Sequence, residues 1–172
     1  MILKHLKEAT HSRHAALESR LPLIDAHLPR QAYREFVHLF FGYYEPLEEK
    51  LMAHTCWESI DFDYTERRKT PRLAQDLIAL GDSAEAMQNL ARCQNLPVLC
   101  NPGQVLGYLY VMEGATLGGQ IISRHLSSNL GLSATSGASF LVATARKPAA
   151  AGKLFAPCCK PMQPKAATTT TS

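Results

Sequence analysis

After Glu113 the chain has no acidic residue, because all 15 Asp and Glu of the 172 residues lie between Glu8 and Glu113. The 13 Lys and Arg before residue 141 are outnumbered by those acids, whereas Arg146, Lys147, Lys153, Lys160 and Lys165 face none. The formal net charge of +3 therefore belongs to residues 141–172. The slightly acidic body lacks the basic face of a nucleic-acid binder. No run of about 18 apolar residues occurs, so no membrane-spanning helix is expected. The segment from Met1 to His14 is charged and amphipathic, unlike the apolar block of a secretory signal. The five cysteines, Cys56, Cys93, Cys100, Cys158 and Cys159, show neither CxxC nor Cys/His zinc spacing. Without an export signal, reduced thiols in a cytoplasm are the expected state.

Alternating strand patterns are missing as well, and what remains is helical periodicity between turn signals. Leu3, Leu6, Leu17 and Leu21 mark one face of a first helix that ends before Pro22. A second begins near Gln31 and carries Tyr33, Phe36, Val37, Phe40, Tyr44, Leu47 and Leu51. Pro46 lies inside it, removes a backbone donor and is expected to kink it. Residues 55–70 form a polar connection holding the one tryptophan, Trp57. Thr70-Pro71 predicts a helix start with a capping hydroxyl, and Gly81 a stop. A short helix is expected over Ala84 to Arg92 and a loop over Leu96 to Cys100. The longest helix is expected from Asn101-Pro102 to about Asn129, before Gly131.

Composition changes after Phe140. Residues 141–172 are rich in Ala, Lys, Pro and Thr, contain four prolines and end in a threonine run. So few large apolar groups do not offset the entropy of ordering a chain. The expected division is a helical domain over residues 1–140 and a low-complexity basic tail over 141–172.

Among seven histidines, position singles out one. At about 100° per residue, His14 falls within about 20° of Leu3 and Leu21, His11 about 60° away and His5 on the opposite side. An imidazole on an apolar stripe is ordinarily a core side chain bonded to a carbonyl. Glu18, four residues on, offers the alternative: it can accept from one ring nitrogen and leave the other a basic metal ligand. Lys7, two turns earlier, could meet an anionic group of a ligand, or simply be a solvated lysine.

The second constellation is Gly107, Gly114, Gly118 and Gly119, four glycines within thirteen residues of one apolar helix. Each costs about 1 kcal/mol relative to alanine in a helix interior. Close helix packing is one reason to keep them. A flat ligand against bare backbone, with a kink at Gly118-Gly119, is the other. A histidine on one helix and a glycine-bared helix elsewhere make two walls of a slot for a planar metallocycle, for which haem held by one axial histidine is the natural candidate. His11 and His14 form an HxxH pair without a third ligand at zinc spacing.

Leu6-Lys7-Glu8-Ala9-Thr10 followed by His14 resembles the proximal helix of haem oxygenases. Tyr108 through Gln120, with Glu113-Gly114-Ala115-Thr116-Leu117-Gly118-Gly119, resembles their distal helix, in the form of the bacterial, biliverdin-producing, bacteriophytochrome-associated branch. Lys69 to Leu73 and Leu80-Gly81 resemble that branch too, and the likeness covers about Leu3 to Phe140. It implies an all-α, haem-oxygenase-like multi-helix bundle with haem (iron protoporphyrin IX) as cofactor and substrate. By position, His14 matches the iron ligand, Glu18 its hydrogen-bonding partner and Lys7 a basic residue near the haem propionates. Thr10 and Gly114 fall in the two haem-contacting motifs, and Gly118 and Gly119 match the glycines over the distal haem face.

The implied reaction opens haem to biliverdin, carbon monoxide and ferrous iron, with an external reductant of ferredoxin or flavin type and a bacteriophytochrome as a candidate biliverdin acceptor. No nucleic-acid or membrane partner is implied. Two departures stand out. Ala115 occupies the place where some relatives carry an Asp that organises distal water. Residues 141–172 do not resemble the helices that usually close the family's fold, so a truncated or frame-shifted C-terminus is expected. The alternative readings are a non-enzymatic haem carrier and an inactive truncated family member.

Overall fold

The computed structural model describes residues 2–54, 57, 63–114 and 116–145, and among them every regular element is helical, as the periodicity requires. α1 spans Ile2–Glu18, α2 Arg30–Met52, α3 Thr70–Ala79, α4 Ala84–Gln88, α5 Pro102–Gly114, α6 Thr116–Leu130 and α7 Ser139–Ala145. A 3-10 turn at Thr65–Arg67 precedes α3.

α2 is the spine. Tyr33, Val37 and Phe41 on its first half are buried with Leu73 and Leu77 of α3, Leu126 of α6 and Phe140 and Leu141 of α7. Leu47 and Leu51 on its second half are buried with Tyr64, Leu99 and the α5 residues Val105, Leu109 and Met112. Each large side chain so removed from water is worth roughly 1.5–3 kcal/mol. Tyr44 packs against both groups, which joins them into one core.

α2 runs through Pro46 without interruption. Proline has no N–H for the carbonyl four residues back, which is that of Gly42. The Cys93 N–H donates to that carbonyl instead, at 2.9 Å. The connection after α4 therefore crosses α2 backbone to backbone, so closely that a Cβ on Gly42 would overlap the Ala91 carbonyl oxygen.

Two helix starts are closed by buried carboxylates from other elements. Glu48 of α2 is fully buried. It accepts from the Lys69 N–H, from the Thr70 N–H at 3.0 Å and from the Tyr64 hydroxyl at 2.8 Å. The expected Thr70 hydroxyl cap is thus corrected. Thr70 is already helical, and its Oγ1 is buried without a hydrogen-bond partner. The charge of Glu48 satisfies the free N–H groups more strongly than a hydroxyl would. Asp76 of α3 does the same for α7, accepting from Ser139 N–H at 2.6 Å and Phe140 N–H at 2.8 Å.

α3 stops as expected. Gly81 adopts φ +101°, and the Asp82 N–H reaches back to the Leu77 carbonyl at 2.9 Å in a Schellman closure that favours glycine. α4, capped by Ser83, ends at Gln88, four residues before the expected Arg92. The Arg92 guanidinium turns back to the carbonyls of Met87 and Leu90 and pairs with Glu45, so it closes the helix rather than extending it. Asn101 caps α5, accepting from Gln104 N–H at 3.0 Å, while Gln104 Oε1 accepts from Cys100 N–H at 2.7 Å.

The long helix expected from Asn101 to Asn129 is helical over Pro102–Gly114 and again over Thr116–Leu130, with Ala115 between them outside the described residues. Gly118 and Gly119 are held inside α6, where Ile122 and Leu126 pack on the core. The division expected at Phe140 falls within α7, whose Leu141 is buried. Residues 146–172, the rest of the expected tail, lie outside the described residues.

Gly42→Ala is expected to lower stability by about 1–3 kcal/mol, since the overlapping neighbour is backbone and cannot rotate away. Urea denaturation followed by circular dichroism checks this, with the exposed Gly107→Ala, whose Cβ would meet open space, as the control.

Burial pushes the Asp76 carboxyl up from 3.8 to about 6, outweighing the amides of Phe140 and Ser139 and the charge of Arg72. Between these values the folded chain holds a proton that the unfolded chain has released, so stability falls as pH rises through the window. Asp76→Asn is expected to lack this component. The stability of wild type relative to the variant should be greater at pH 4 than at pH 7, and an equal difference at both would refute the assignment.

Candidate functional site

Every described side chain on α1, from His5 to Glu18, is exposed. The apolar stripe of the first helix is open at Leu17, which is 57% exposed. The chain enters the core at Leu21 and Leu23.

This exposure corrects the ordinary reading of His14 as a core histidine bonded to a carbonyl. Its side chain is 69% exposed, and Nδ1 stands 3.3 Å from Glu18 Oε1. The carboxylate favours a proton on Nδ1, which leaves the Nε2 lone pair as the basic, outward position. Lys7 is exposed on the same helix. Thr10 Oγ1 donates to the Lys7 carbonyl at 3.5 Å. The structure thus brings His14 to Glu18 and Thr10 to Lys7.

The glycines divide by environment. Gly42 shows what a packing glycine looks like in this fold, and Gly118 does not resemble it. Gly118 is exposed, and a Cβ built on it would meet nothing within 4 Å. No described element presses on it, so close packing among the described residues gives no reason for a glycine there. Gly119 is buried, one residue on and about 100° around the helix. Neither has a positive φ, and the helix runs from Thr116 through this pair to Leu130. Ala115 lies outside the described residues. A flat apolar ligand with one metal coordination site fits these features: an open imidazole with its second nitrogen engaged, and bare backbone with free space above it.

Two polar clusters escaped the sequence reading. Tyr108 of α5 and Tyr43 of α2 place their hydroxyls 3.0 Å apart. Burial, then the bond to Tyr43, pushes the Tyr108 phenol far above its usual range. Asp82, nearly inaccessible, takes a two-pronged contact from Arg34 and stands 2.8 Å from His38 Nε2. Arg34 above all holds its carboxyl below the ordinary range. The signal was the i, i+4 pair Arg34 and His38 on α2, but its partner 44 residues after His38 is visible only in three dimensions. Glu-x-x-His spacing, as in carboxylate di-iron bundles, occurs at Glu8–His11 and Glu35–His38. Among the described residues no three His, Cys, Asp or Glu converge as a polydentate metal centre.

Comparison with known proteins gives the family to which the chain is similar. Residues 1–154 match the family model described as "Heme oxygenase". A protein of Xanthomonas campestris pv. campestris (strain 8004) named "Heme oxygenase" is 31% identical over 103 residues, which cover 60% of this chain and 55% of that protein. The chain thus spans about half the length of the curated relative it matches. No solved structure matches the chain.

Proposed function

The chain belongs to the haem oxygenase family, and we propose that it binds haem through His14 and opens the ring to biliverdin, carbon monoxide and ferrous iron. The observation that carries this reading is the exposed His14 imidazole with Glu18 at its Nδ1. The bound haem would supply both the redox-active iron and the ring to be oxidised, with electrons from a ferredoxin- or flavin-type donor.

The chain's own residues bind and orient. Glu18, 3.3 Å from Nδ1, would favour the Nδ1–H tautomer and make Nε2 a stronger ligand. Lys7 would pair with a propionate, and Thr10 Oγ1 bonds the Lys7 carbonyl. On the other face, the bare α6 backbone at Gly118 lets a planar ring approach where any side chain would hold it off. Gly119 is buried and serves the helix packing that keeps this backbone in place. Gly114, in the helical stretch before these glycines, is assigned with Thr10 to the residues that contact the ring. A bacteriophytochrome as biliverdin acceptor and a cytoplasmic location complete this reading.

His14→Ala is expected to abolish the histidine-ligated Soret spectrum of added haem, while His5→Ala leaves it unchanged. Equal losses would sink the assignment. Reductant and air added to the wild-type complex should then bleach the Soret band and yield a bilin absorption; bound haem that survives this treatment would identify a carrier instead.

Gly118→Leu should leave the melting temperature of the ligand-free chain unchanged or slightly raised, because the space is open and leucine favours helix by about 1 kcal/mol. Haem binding should be lost. Gly119→Leu, at a buried position, should lower stability by about 1–3 kcal/mol before haem is added. Normal haem uptake by Gly118→Leu would reduce that glycine to a neutral surface position.

A further inference from the structure

The proposed ligand lies against two helices, one of which, α1, contributes no buried described side chain. Something has to hold α1 in register with α6. The turn after α1 is tight: Asp25 N–H donates to the Pro22 carbonyl at 3.1 Å and Leu28 N–H to the Asp25 carbonyl at 3.1 Å. His27 N–H donates to Asp25 Oδ1 at 2.8 Å. Leu23 and Leu28 anchor its ends in the core.

Two α6 side chains reach this turn. His125 Nε2 lies 2.7 Å from the Asp25 carbonyl, and Asn129 Nδ2 donates to the Ala26 carbonyl at 3.2 Å. A nitrogen at that distance from a carbonyl has to carry the proton, which assigns the Nε2–H tautomer. Asn129 Nδ2, 2.9 Å from His125 Nε2, is then its neighbour on the next carbonyl. His125 and Asn129 are one turn apart. Counted from Gly118 they lie seven and eleven residues on, each within about 20° of the same face. One stripe of α6 therefore carries the open glycine at its start and, about 10–16 Å further along, the two donors that grip the turn leading out of α1.

We infer that His125 and Asn129 are positioning residues that set the spacing between the His14 helix and the Gly118 backbone, and so the width of the haem slot. The inference rests on the proposed haem site. Adjacent carbonyls held by two donors on a rigid helix fix both the direction and the height of the chain leaving α1. A single bond would leave α1 free to swing about it.

The test uses the full chain with His125→Ala, Asn129→Ala, both together, His125→Gln, and Ser128→Ala as an exposed α6 control. In the ligand-free chain, hydrogen exchange over residues 15–28 should speed up at least tenfold in the double variant, with α2 and α3 amides unchanged. Haem titration should show at least a tenfold weaker affinity and a broadened Soret band, whereas His125→Gln, which keeps an N–H donor, restores both towards wild type. Unchanged exchange over 15–28 overturns the clamp. Faster exchange with wild-type haem affinity overturns its role in setting the slot. A wild-type chain that takes up no haem overturns the haem reading and the slot with it, and the exchange data alone then report whether the two residues hold α1.

Discussion

The free N–H groups at the start of a buried helix have to find acceptors, and in this chain two carboxylates from distant elements provide them. Glu48 closes the start of α3 and Asp76 the start of α7. The two are linked in series, because α3, once set by Glu48, is the element that carries Asp76. α7 then packs Phe140 against Phe40 and Tyr44 of α2. The circuit α2–α3–α7–α2 is closed by polar contacts at its corners and apolar burial along its sides. Burial of charge is costly unless it is met by donors, and helix N-termini, with their positive dipole ends, are well suited to meet it.

α1 contributes no described side chain to that circuit, which matters for the proposed haem site. A helix that contributed its apolar stripe to the core would have buried His14 and directed its ring to a carbonyl. Because α1 is held at its end, by the turn at Asp25 and Ala26, its imidazole keeps an accessible nitrogen. Gly118 has open space for the same reason: no element of the described core covers that face of α6. On the proposed haem reading, stability and ligand access fall to different parts of one small fold, with α2 serving the first and α1 with α6 the second.

Much of the helical plan was legible in one dimension, since period, caps and stops act between residues a few positions apart. The stop at Gly81 and the start at Asn101 are local and were found where expected. Missed features depend on partners far along the chain: Glu48 with Thr70, Asp76 with Phe140, Cys93 with Gly42, His38 with Asp82. The helix expected to continue to Arg92 failed for the same reason, because the Arg92 side chain pairs with Glu45 and folds back onto carbonyls. At the candidate site, the pairing of His14 with Glu18 was legible because i, i+4 residues share a helix face. Their exposure was not, because a stripe of leucines signals burial whether or not an element is present to bury it.

The sequence by itself determined the helical class, the His14–Glu18 pair and the run of glycines, each by rules that act within a few turns of helix. The tertiary structure alone decided which glycine is packed and which is open, which carboxylate caps which helix, and that α1 is anchored through a turn gripped by His125 and Asn129. Those outcomes depend on which surfaces approach one another, and burial, desolvation and backbone contact are properties of that approach rather than of the residues taken singly.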